Sequence, residues 1–189
     1  MLTATAVLLA LGVMLPIALH GVPLGGRILL PMHIPALIAG LLLGPAAGIV
    51  VGAGSPVLSL LLTGRPPVVY MVPMLCELVA YGVVAGLARP RFERALGARG
   101  VPGAQAGPAW AVAQAPRAYA ALVLSLLVAM LAGRAVWMAV VVWLAPLIGI
   151  PARGVAAALA ALGAGWIGMA LQLAVIPPIV RAVERPRGS

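Results

Sequence analysis

The chain has 189 residues, 64% of them hydrophobic, and carries 12 basic and 3 acidic side chains for a formal charge of +9. Only 8% of the residues are charged, against roughly 25% in soluble domains; this excludes a water-soluble globular fold and leaves an integral membrane protein. Clustered arginines in such a chain set its orientation in the bilayer, so the positive balance does not point to nucleic acid, and a single Cys76 excludes an intrachain disulfide.

About 20 apolar residues cross the hydrocarbon layer. Residues 2–19 form the first predicted span. They lack the cationic start of a secretory signal and are read as retained. The next apolar run begins at Leu29. As one helix to Leu62 it would measure about 50 Å, too long for a layer of about 30 Å. It therefore divides at Gly44-Pro45 into two short spans, 34–44 and 46–63. Gly-Pro, Ser-Pro and Arg-Pro-Pro steps are read as helix breakers along this stretch. Span four covers 68–88. Span five covers 118–147 and is long enough to tilt. Span six covers 155–180 and ends at Pro177-Pro178. A basic linker, 89–117, holds Arg89, Arg91, Arg94, Arg99 and Arg117 among Gly and Pro.

The predicted fold is all-α: one membrane domain over 1–189, a compact bundle of six transmembrane helices with both termini cytoplasmic. That topology places the linker, Arg181, Arg185 and Arg187 inside, and Arg27, Arg65 and Arg153 outside, as the positive-inside rule requires. Five spans with the N-terminus outside satisfy the same rule; helix length favours six.

Small residues recur every fourth position at Gly40, Gly44, Gly48 and Gly52, again at Ala156, Ala160, Ala164 and Gly168, and in the pair Ala6 and Ala10. Such spacing lets helix backbones approach closely. An Ala- and Gly-rich composition also produces it by chance.

Counting from the span ends puts Glu77, Arg134 and Gln172 near the midplane. A lone charge there costs several kcal/mol, so Glu77 and Arg134 are expected to pair, with Gln172 filling remaining hydrogen-bond positions. Tyr81 stands one turn from Glu77 on the same helix face. The pair either fixes how spans four and five dock or closes the floor of a substrate cavity. Near the outer mouth lie His20, Arg27, Met32 and His33, then Arg65, with Trp137 and Trp166 in the outer halves of their helices. Cationic and aromatic groups there suit a small planar or acidic ligand; lipid anchoring and headgroup contact account for them equally. Metal ligation by His20 and His33 is not expected, since no Cys or carboxylate accompanies them in sequence. No G-x-x-x-x-G-K-[ST], H-E-x-x-H or G-x-S-x-G motif occurs. Neither an enzyme nor a cofactor is expected.

The strings LPMHIPALIAGLLLGP (30–45), PVLSLLLTGRPP (56–67) and MLCELVAYG (74–82) resemble the substrate-binding (S) components of energy-coupling factor (ECF) vitamin transporters. AGR ending at Arg134, LQLAVIPP (171–178) and Ala6-x-x-x-Ala10 fit the same group. The likeness covers nearly the whole chain except the 89–117 linker.

The resemblance implies a six-helix bundle in the plasma membrane of a prokaryote. It implies high-affinity binding of a vitamin or related micronutrient from outside. It also implies association with a transmembrane coupling protein and two ABC ATPases, which hydrolyse ATP in its place. Ala6 and Ala10 match positions that contact the coupling protein. The pocket implied lies in the outer half, where His33, Arg65, Glu77, Tyr81, Arg134, Trp137 and Trp166 fall. Such components are thought to topple in the membrane, for which few charges at the waist are favourable. A solitary permease working without ATPases and a non-transporting structural subunit are the alternatives.

Overall fold

The computed structural model describes residues 1–19, 30–98, 108–147, 163 and 165–184. These form six helices and, among the described residues, no strand: α1 (Leu2–Ala18), α2 (His33–Leu43), α3 (Pro45–Thr63), α4 (Val68–Ala95), α5 (Pro108–Ala139) and α6 (Trp166–Glu184). Helix α5 runs on through a π-helical turn, Val140–Leu144, into Ala145–Leu147. Four helical stretches are long and apolar enough to cross a membrane: Pro45–Thr63, Val68–Ala95, Pro116–Leu144 and Trp166–Glu184. Helices α1 and α2, with 17 and 11 residues, are shorter.

The break between α2 and α3 falls at the expected Gly44-Pro45 step. Gly44 has φ 92°, open to a residue without a Cβ. Pro45 follows as the first residue of α3, where its missing N–H would have had no helical partner. Gly64, φ 69°, ends α3 and donates its N–H to the Leu60 carbonyl at 2.9 Å. Arg65-Pro66-Pro67 then leads into α4.

Other prolines do not act as expected. Pro56 lies inside α3, and Pro177 and Pro178 lie inside α6, which continues to Glu184. Pro56 and Pro177 are buried. Helices in a bilayer tolerate interior proline, because packed neighbours and small local adjustments re-satisfy the freed backbone groups. Two further boundaries shift: α4 extends to Ala95, and α5 starts at Pro108, so both ends of the basic linker are helical. Most of the start of predicted span six, with Ala156, Ala160 and Ala164, lies outside the described residues.

Helix α2 occupies the centre. Residues 35–41 are buried without interruption, and α2 packs on α1, α3, α4, α5 and α6. A helix that is apolar all round is a core helix; at about 16 Å this one is enclosed by its neighbours.

Glycines permit the close packing around it. A Cβ on Gly48 would fall 2.5 Å from the Gly82 carbonyl carbon, one on Gly52 2.6 Å from the Leu78 carbonyl oxygen, and one on Gly86 2.5 Å from Pro45 N. Gly40 approaches the same Gly82 from α2. Of the predicted small-residue set, Gly40, Gly48 and Gly52 thus make backbone contacts, while Gly44 serves as the break.

Candidate functional site

Glu77 lies on α4, nine residues after its start, about 14 Å along the axis. It is 3% exposed. Its Oε1 accepts from the Tyr81 hydroxyl at 3.0 Å and pairs with Arg134 Nη1 of α5 at 2.9 Å. The first contact follows from the i,i+4 spacing on α4. The second spans two helices and matches the expected pair. Gly133 leaves room for the cluster: a Cβ there would collide with the Tyr81 ring.

His33, the first residue of α2, joins this cluster instead of standing at a solvent-facing mouth. It is 2% exposed. Its Nε2 lies 3.6 Å from Glu77 Oε2, and its ring meets that of Tyr81 edge-on at 5.1 Å between centroids. At 3.6 Å the imidazole and carboxylate are neighbours but do not form a hydrogen bond. Neither ring nitrogen of His33 has a hydrogen-bond partner among the described residues.

The same holds for Nε and Nη2 of Arg134 and for Nε2 of Gln172. Gln172, on α6 and 1% exposed, therefore does not complete the ion pair as expected. Buried polar groups are satisfied in the great majority of cases. A cluster with several unsatisfied donors is thus chemically poised for acceptors.

The remaining predicted residues are dispersed. Trp137 is half-buried, three residues beyond Arg134 on α5. Trp166 opens α6 with 65% of its surface exposed. Arg65 is exposed and lines a hollow of about 210 Å³ with Pro16, Ile17, Ser59 and Thr63. That hollow lies against α1 and α3, and none of the four cluster residues lines it. His20, Arg27 and Arg153 lie outside the described residues. No grouping of three His, Cys, Asp or Glu suited to a metal ion occurs among the described residues.

A second polar cluster closes the opposite end of the bundle and escaped sequence reasoning. Arg89 donates from Nε to Glu93 at 2.8 Å and from Nη1 to the Leu41 carbonyl at 2.9 Å, and it pairs through Nη2 with Glu184. It thereby ties α2, α4 and α6 together. Leu41 is in the last turn of α2, where carbonyls lack helical partners and a cation is favourable. The i,i+4 spacing of Arg89 and Glu93 was the one visible signal. All three acidic side chains, Glu77, Glu93 and Glu184, are engaged in ion pairs.

On α1, Ala6 and Ala10 are exposed, whereas Gly12, Val13 and Pro16 are buried. Gly12 faces Ser55 of α3.

The family model described as "ECF transporter, substrate-specific component" matches residues 1–180. No curated protein and no solved structure matches the chain.

Proposed function

Because the chain belongs to the substrate-specific components of ECF transporters, a family of membrane transport subunits rather than enzymes, we propose that it captures a vitamin or related micronutrient from outside and delivers it inward. A transmembrane coupling protein and two ABC ATPases supply the energy. The membrane is the plasma membrane of a prokaryote, with both termini and the basic linker cytoplasmic, as the arginine distribution favours.

The observation that carries this reading is the buried cluster of His33, Glu77, Tyr81 and Arg134, held between three helices and rich in unsatisfied donors. Binding sites combine an apolar enclosure with a few converging polar groups, and this cluster supplies the polar part. Trp137 adds an aromatic wall beside it; Arg65 and Trp166 belong to the mouth. The exposed Ala6 and Ala10 leave a smooth strip on α1 against which a partner helix can slide. The mutual neutralisation of Glu77 and Arg134 favours the movement of such a capsule through hydrocarbon.

The test is uptake of the metabolite that the purified protein retains, in cells with and without a coupling module. Uptake only with the module, and co-purification with its subunits, is expected. Equal uptake in both strains would mean a solitary permease. A well-folded chain that retains no metabolite and joins no ATP-driven complex would mean a structural subunit.

A further inference from the structure

Arg134 uses one corner of its guanidinium. Nη1 reaches Glu77 Oε1 at 2.9 Å, while Nε and Nη2, which form the side-on edge, have no hydrogen-bond partner among the described residues. The side chain as a whole is 14% exposed, while Nε and Nη2 themselves are enclosed, so the edge is removed from water. That edge presents two parallel N–H groups with the spacing of the two oxygens of a carboxylate. Leaving it unbonded in a buried place is unfavourable. A ligand that caps it therefore gains more than a bond made at the surface.

We propose that the ligand is held by a carboxylate seated on the Nε–Nη2 edge of Arg134. The proposal rests on the transport reading above and names the chemical class of its substrate. The charge environment selects among oxyanions. Glu77 already takes up part of the guanidinium's field, and a phosphate carrying nearly two charges would sit close to that carboxylate in a weakly screened place. A monoanion is the better match. His33, beside Glu77 and Tyr81 of α4, has two ring nitrogens without hydrogen bonds among the described residues and can donate an N–H to the ligand. The unbonded Nε2 of Gln172 on α6 is a further donor for the rest of the ligand.

The experiment uses the full chain in lipid nanodiscs and a cellular metabolite extract divided in two. One half is untouched; in the other, carboxylates are converted to primary amides. Mass spectrometry identifies what the washed protein retains. A carboxylate-bearing metabolite is expected from the first half, with its amide retained at least roughly 10-fold less. Arg134→Lys preserves a cation for Glu77 and removes the fork; folded protein of this variant should retain the acid roughly 10- to 100-fold more weakly. If that variant does not fold, the comparison of acid and amide decides alone.

Retention of a metabolite without a carboxylate, equal retention of acid and amide, or undiminished retention by folded Arg134→Lys overturns the inference and leaves the transport reading standing. A folded chain that retains nothing from either half overturns the transport reading and the inference with it.

Discussion

Gly82→Ala tests whether backbone contact at the glycine seam holds the bundle together. A Cβ at residue 82 would lie 2.5 Å from the Cα and carbonyl oxygen of Gly48. The obstacle is backbone, so no side chain can swing aside. Restoring ordinary contact requires α3 and α4 to separate by about 1 Å, and a gap of that size forfeits a quarter to a half of each atom pair's attraction. Overpacking of this kind costs about 1–3 kcal/mol, and the rigid obstacle places this site at the upper end. Alanine returns about 1 kcal/mol through its better helix propensity. The net loss is about 1–2 kcal/mol. For a chain of this length that lowers the unfolding midpoint by about 2–8 °C. The assay is thermal unfolding in nanodiscs followed by tryptophan fluorescence, with exposed Leu87→Ala on the same helix as control. Because a displaced α4 carries Glu77 relative to Arg134 of α5, the same shift strains the 2.9 Å pair between them, and ligand retention should fall as well. A Gly82→Ala protein as stable as the parent would refute the close-contact argument.

Glu77→Gln leaves the Arg134 guanidinium without its counter-charge, and breaking a buried pair in this way costs about 3–5 kcal/mol. Combining Glu77→Leu with Arg134→Met should recover most of that stability while abolishing ligand retention; thermal unfolding and mass spectrometry together separate the two effects. Arg89→Ala removes the bonds to Glu93, Leu41 and Glu184 and is expected to cost about 1–3 kcal/mol. Hydrogen exchange should accelerate at residues 181–184 of α6, and unchanged protection there would show that Arg89 does not hold that end. Changing both Ala6 and Ala10 to Trp should leave ligand retention intact and reduce uptake at least roughly 10-fold by blocking close helix approach. Normal uptake by that variant would remove this face of α1 from the coupling interface.

Helix number and type were legible because hydropathy and bilayer thickness together limit how a long apolar run can be cut. Length required that the run from Leu29 be cut, and the Gly44-Pro45 step showed where. The Glu77–Arg134 pair was legible because two lone charges at similar depth have few alternatives. His33 was not. Its place on the segment between spans one and two suggested a mouth, but His33 opens α2 and is buried, and that depth follows from packing. Gln172 was assigned to the pair by depth, yet equal depth on different helices does not bring side chains within bonding distance. Pro56 and Pro177 were read as stops by rules drawn from helices in water, and neighbouring helices overrode them.

Composition by itself determined that this chain lives in lipid, that its segments are helical, and that charge is scarce enough to force pairing. Only the tertiary structure decided that α2 lies at the centre, that glycines of α2 and α3 meet Gly82, and that His33, Tyr81 and Arg134 converge on Glu77. The reason is physical. Helices in a bilayer are apolar on every side, since lipid and protein interior are alike in polarity. The amphipathic stripe that marks the inner face of a water-soluble helix is therefore absent, and rotation and depth are settled by contact.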